Sequence, residues 1–384
     1  GTGDYNTAVG SNALTSNSAG SANTAIGYQA MNAATTGEHN TAVGYQALLS
    51  ANHADADGNV AVGYHALRDV TEGNDNIAVG KQAGRNITTG GGNVAIGKNS
   101  FFAACTGDQN IGIGTTSCAA LTSGSNNIAV GFQTLANNQT GINNVAIGRD
   151  SLYSCTASEN IAIGAYSGDA LTSGTRNVSI GHAALTTEDT RSYAVAIGYK
   201  ALTAQNADAD TYNVAVGTQT GEDLSTGVEC TFMGGNAGRK NTTGTHNTYI
   251  GSSAGMKTTT GLHNTAMGYA SLLEANHADA DANTAIGYGA LQNVTEGAMN
   301  TAIGKNAGNN ITTGDSNVCI GKDAQVGSAT GNGQVVITNG TVVADFEGSE
   351  TAWTFTSDGR DKKDIVDLDL GLEFINKLQP RKYT

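Results

Sequence analysis

Bulk, in every form, is what this sequence has little of. One proline, 5% aromatics and 14% charged residues across 384 positions exclude the usual reading of such a length as two or three globular domains. The apolar residues present are small or β-branched and evenly spread, so they can line a thin interior stripe but cannot fill a thick core. No apolar run approaches the roughly 18 residues that a membrane-spanning helix needs, and no secretory leader is recognisable. Cysteine is scarce and odd in number. Cys105, Cys118, Cys155, Cys230 and Cys319 stand at different phases of the chain without metal-ligand spacing, which favours small buried residues over a disulfide framework. Basic residues are outnumbered 19 to 33, for a formal charge of −14. Residues 357–384 carry six basic and six acidic side chains, so the whole excess lies before them. A surface of that sign repels nucleic acid and anionic membranes, and neither is expected as a partner.

Glycine, by contrast, is plentiful, and much of it is periodic. The pentapeptide Asn-(Thr/Val/Ile)-Ala-(Val/Ile)-Gly places its glycine at Gly10, Gly27 and Gly44 and so on through Gly304 and Gly321. Of the eighteen intervals between these glycines, fourteen are 17 residues, three are 19 and one is 16. Disordered chains lack such a fixed apolar period, and ordinary domains do not show it. Each long interval holds an Ala-Asp-Ala-Asp insert, at 54–57, 207–210 and 278–281, which is expected to bulge at one corner without shifting the strands. Whole blocks are duplicated as well: Asn52-His53-Ala54-Asp55 returns as Asn276-His277-Ala278-Asp279. The chain opens at Gly1 in mid-repeat without a methionine, which reads as a piece of something longer.

A three-residue strand precedes each glycine. In Asn40-Thr41-Ala42-Val43-Gly44, Thr41 and Val43 share one face and Asn40 and Ala42 the other. The Thr/Val/Ile face is expected to be the interior stripe, because it holds the larger apolar groups. The alanine then faces outward. That position is nearly always alanine, with Gly112, Ser179, Met233, Tyr249 and Cys319 taken as exceptions, so something packs closely against it. A second copy of the chain in a three-fold bundle, or a neighbour within the chain, would account for this. A shorter apolar segment such as Ala47-Leu48 or Ala66-Leu67 follows, then a polar corner such as Thr122-Ser123-Gly124. One coil cannot offset its own ordering entropy, whereas stacking adds two strand ladders and a column of asparagines. The fold expected is all-β: a parallel β-solenoid of about 19 coils over residues 1–325, then degenerate terminal strands and linker over 326–356. At about 4.8 Å per rung this makes a rod of roughly 90 Å.

The pentapeptide with its flanks, as in Asn23-Thr24-Ala25-Ile26-Gly27-Tyr28-Gln29-Ala30, resembles the head repeats of trimeric autotransporter adhesins and the related repeats of bacteriophage tail fibres. The resemblance implies β-rolls lying three side by side as a homotrimer, although the repeat here is longer than that of the adhesin heads. Residues 357–384, beginning Ser357-Asp358-Gly359-Arg360-Asp361-Lys362-Lys363, resemble the opening of the endosialidase-type intramolecular chaperone domain of phage fibres and tailspikes. A short helical pattern follows at Leu370, Phe374, Ile375 and Leu378, ended by Pro380. The resemblance implies Ser357 as nucleophile and Lys362 as its base, with self-cleavage between Thr356 and Ser357. Asp361 departs from the family pattern, which has an apolar residue there.

Other chemistry has weaker signals. The Asp-Ala-Asp corners supply hard oxygen ligands but match no calcium loop, so a solvated bulge is the plainer reading and no metal is expected. His53, His65, His182 and His277 are read as surface residues, and no nucleotide-binding unit or cofactor site is present. The tyrosines that follow the repeat glycine (Tyr28, Tyr45, Tyr64, Tyr199, Tyr269, Tyr288) either stack on sugars or cover the preceding coil. An ice-binding surface would need Thr-x-Thr in every coil, and many coils have Val or Ile. The functional expectation is a structural phage tail fibre in the virion, with other tail proteins and a host cell-surface receptor as partners, polysaccharide among the receptor candidates. A bacterial trimeric adhesin stalk is the alternative. No turnover enzyme is expected beyond a single self-cleavage.

Overall fold

A computed structural model describes residues 2–188, 190–207 and 209–346, together with the strand Thr354–Thr356. The predicted helical segment 370–378, Ser357 and Lys362 lie outside the described residues. Among the described residues the regular structure is all strand. Nineteen three-residue strands run from β1 (Thr7–Val9) to β19 (Val318–Ile320), each paired in parallel with the next. Register never slips. The two-residue insert at 54–57 leaves β3 (Thr41–Val43) and β4 (Val60–Val62) paired as Thr41 with Val60 and Val43 with Val62. Asp57, within that insert, accepts the N–H of Glu38 at 2.6 Å, and Asp281 accepts that of Leu262 at 2.6 Å, so one carboxylate of each bulge ties it to the coil before.

The stack continues one rung past the last repeat glycine. β20 (Val335–Thr338) pairs in parallel with β19, and the chain then reverses: β21 (Val343–Phe346) and β22 (Thr354–Thr356) add antiparallel, ending the parallel series. Thr356, the residue before the expected cleavage point, pairs with Val343.

The face that turns inward is the opposite of the one expected. Ala25, Ala42, Ala61, Ala78, Ala95 and Ala129 are wholly buried in their own chain, while the flanking Thr, Val and Ile of the same strands are half-exposed or exposed. The alanine column therefore packs within the coil and is not a contact between copies. In the fourteenth coil that column is held by Phe232, and Met233 is its exposed neighbour. Among the described residues no second ladder of strands forms, only the isolated parallel bridge of Ile87 with Cys105. The chain folds back through a tight arc in which Gln46 and Leu48 take left-handed backbone at φ 51° and 49°, and coils are joined there by single bonds such as Leu48 N–H to Ala66 O at 2.9 Å. Leucines of the arc and the strand alanines are buried together in one thin core that leaves little room for larger side chains. A methyl group placed on Gly84 would touch Leu67, Ile87 and Ala78 together.

Three features hold the rungs at their spacing. Each repeat glycine has a φ open to glycine alone, +135° at Gly63, and a side chain there would overlap the carbonyl of Gly80 in the next coil. The asparagines are buried, and each bridges two rungs: Asn40 Oδ1 accepts the N–H of Asn59 at 2.8 Å and Asn40 Nδ2 donates to Ala56 O at 2.7 Å. At the polar corner, threonine hydroxyls donate to the neighbouring coil, as Thr122 does to Gln139 O at 2.9 Å. Backbone polar groups that would be orphaned in so thin a core are thus satisfied from rung to rung.

Candidate interaction faces

Inversion of the strand gives this molecule its main surface feature. The third strand position holds Val9, Ile26, Val43, Val62, Val79, Ile96, and then an aliphatic residue or methionine in every coil to Ile337. The first strand position is Thr in the opening coils, Val or Ile in ten successive coils from Val60 to Val214, and Thr again from Thr231 to Thr301. Ile77, Ile128, Ile147 and Ile163 are each more than a third exposed. One column of apolar side chains therefore faces outward along the whole rod, and a second runs beside it over the ten coils from Val60 to Val214.

The corner just after the glycine carries a second column. Tyr28 and Tyr45 stack at 5.2 Å between ring centroids and Tyr45 and Tyr64 at 5.3 Å, with Lys81 Nζ 5.8 Å from the Tyr64 centroid. Tyr269 and Tyr288 stack at 5.3 Å, with Lys305 Nζ 5.7 Å from Tyr288. Rung-spaced aromatic groups stack on one another before they can stack on anything else, so these rings present edges and hydroxyls outward rather than faces. Of the two readings open from sequence, covering a neighbouring coil is the one this geometry fits. Beside Tyr64, His65 departs from its expected surface position. It is only 9% exposed, lies 3.8 Å from the Tyr64 ring, and neither ring nitrogen has a hydrogen-bond partner. Burial, then the nearby Arg68 and Arg85, push its pKa below the ordinary histidine value and favour the neutral ring. His53 and His277 are exposed as expected, each beside the aspartate two residues on.

A third column occupies the corner before the asparagines. Glu159 meets Arg176 at 2.6 Å, the Arg176 guanidinium lies over Tyr193, and Tyr193 stacks on Tyr212 at 5.0 Å. Farther along, His246 contacts Glu229 at 3.1 Å and stacks on His263 at 4.9 Å. On the same side a shallow polar groove of about 540 Å³ runs past Glu72, Asp75 and Asp108.

None of these columns forms a reaction centre. The five cysteines are buried and free, and burial raises Cys105, Cys155 and Cys319 to about 11 and Cys230 to about 12, which removes them as nucleophiles. Among the described residues no three His, Cys, Asp or Glu side chains converge as metal ligands, and no helix is long and apolar enough to cross a membrane. The apolar strand face was not singled out by sequence as an outward face, and at the glycine corner the tyrosines were read as exposed but the lysines aligned with them were not; strand alternation alone leaves two choices, and the larger residues suggested the wrong one. Compared with family models, curated proteins and solved structures, the chain finds no match.

Proposed function

We propose that this chain is the shaft of a bacteriophage tail fibre, a rigid spacer and host-attachment arm in which three copies lie side by side outside the cell. The observation that supports it is the unbroken apolar strip. Monomeric soluble proteins keep contiguous exposed apolar patches to a few hundred Å². A strip that runs the length of a rod of roughly 90 Å, and is two side chains wide over ten coils, exceeds that and calls for cover. Parallel copies present like residues at like heights, and rotation about a shared axis covers every strip, whereas an open arrangement leaves one bare. The alanines, buried within their own chain, are not available to such a bundle, whereas the outward Val/Ile strip is.

Sedimentation velocity is expected to give the mass of three chains. Introducing Ile147→Glu and Ile163→Glu together should shift the balance toward single chains by several powers of ten, since each carboxylate buried without a partner costs several kcal/mol. The far-UV spectrum should be unchanged, because both side chains point away from the core. A wild-type chain that sediments as a monomer overturns the bundle. The resemblance of the terminal segment adds processing after Thr356 by Ser357 and Lys362. Mass spectrometry of assembled particles should find chains ending at Thr356, and full-length chains there would remove the cleavage claim.

A further inference from the structure

The two duplicated blocks are a comparison that the chain makes with itself. In the column just after the glycine, Tyr45, Tyr64, Lys81 and Lys98 correspond to Tyr269, Tyr288, Lys305 and Lys322, identical in type and in spacing. The very next residue in each coil, on the same corner, has changed at all four levels: Gln46 to Ala270, His65 to Gly289, Gln82 to Asn306 and Asn99 to Asp323. The preserved column is the exposed one at every level, whereas the changed column is buried or half-buried everywhere but at Asp323, so packing does not account for the exposed residues having been kept.

The lysines point the same way. Of the seven lysines among the described residues, Lys200, Lys240, Lys257 and Lys322 pair with carboxylates. The other three, Lys81, Lys98 and Lys305, have no ion pair among the described residues, and all three stand in this column, exposed, on a rod with a large acidic excess. Lys81 and Lys305 are each held against the last tyrosine of a stack. From Tyr28 to Asn99 neither corner column contains a carboxylate.

From these observations we infer that the tyrosine-lysine corner is a binding ladder for an anionic polysaccharide. Ammonium groups at successive rungs meet charges borne by successive sugars, and the tyrosine hydroxyls and ring edges meet hydroxyls between them. A linear sugar polymer advances along its axis by nearly the same step as the rungs, so one chain laid along the corner keeps its phase over several coils. The acidic excess elsewhere is screened within a Debye length of about 8 Å at physiological salt. It still disfavours nucleic acid, whose charge is far denser and runs past the ladder onto the acidic coils. The inference uses the fibre reading only for where such a polymer is met; the chemistry stands apart from it.

The test uses the full chain in affinity electrophoresis through gels containing polygalacturonate, which carries one carboxylate per sugar, or its fully methyl-esterified form. Retardation is expected in the acidic gel, weakening as salt rises, and not in the esterified one. Lys81→Gln, Lys98→Gln, Lys305→Gln and Lys322→Gln combined should lower apparent affinity at least tenfold, and the matching Lys→Arg set should restore it. A control with Lys200→Gln, Lys240→Gln and Lys257→Gln should bind as wild type. No retardation of wild type, equal loss in the control, or a changed sedimentation mass in the ladder variant, which would place the corner inside an assembly contact, overturns the inference. Binding by a chain that sediments as a monomer upholds the ladder while removing the bundle.

Discussion

At Cys230 the asparagine column is interrupted, and the interruption shows what one side chain does here. In the coils that carry it, the asparagine oxygen accepts the N–H at the same position of the next coil and its amide nitrogen donates across to a corner carbonyl. Cys230 puts a sulfur 3.3 Å from Gly244 O, where an amide nitrogen belongs, and offers the Asn247 N–H a thiol in place of an oxygen. Sulfur is a weak partner in both roles. Cys230→Asn should therefore stabilise the protein by about 1 kcal/mol, the net worth of an ordinary hydrogen bond, read as a rise in the midpoint of denaturant unfolding with an unchanged slope. At Asn93, whose amide makes the same bridges intact, Asn93→Ala should cost about 1–3 kcal/mol, because it leaves the buried N–H of Asn110 without a partner. That asparagines align was legible in the sequence, since register follows from the constant interval. Which of them matter most was not, because the gaps at Ala194 and Cys230 look like ordinary substitutions until the bonds are traced.

Within a single coil, volume is conserved by trades between distant positions. Where the arc carries leucine, as at Leu48 or Leu67, the strand carries alanine. Where the strand carries Phe232 or Tyr249, the arc carries Gly221, Gly238 and Gly255, and a methyl group on Gly238 or Gly255 would strike the ring. In the seventh coil the arc residue is Phe101 and the strand residue Gly112, with the ring occupying the space of the missing methyl. Both members lie inside residues 98–114, so this coil carries its own compensation. Deleting residues 98–114 should bring Val94 opposite Ile128 and leave a folded rod one rung shorter, with thermal unfolding within a few degrees of wild type. Deleting only residues 99–107 breaks the period and should abolish cooperative unfolding in the same measurement. These trades are written in the sequence, yet they are readable only once the arc is known to lie over the alanine and not over the valine and isoleucine.

Along the whole rod, identical rungs turn a small local choice into a surface. One outward isoleucine is unremarkable. Repeated in every coil it becomes the strip on which the proposed bundle rests, and its outcome in the sedimentation experiment is set by the sum of many contacts, not by any one. The tyrosine-lysine corner is the same phenomenon with polar chemistry. The sequence alone determined the rung count, the parallel register, the place of the inserts and the aligned asparagines, because all of these follow from period, and period survives any choice of inside and outside. Tertiary structure alone decided which strand face is interior. The left-handed arc folds back so closely that only a small side chain, in most coils a methyl, fits beneath it, and this excludes the larger Val and Ile from the core despite their greater hydrophobicity.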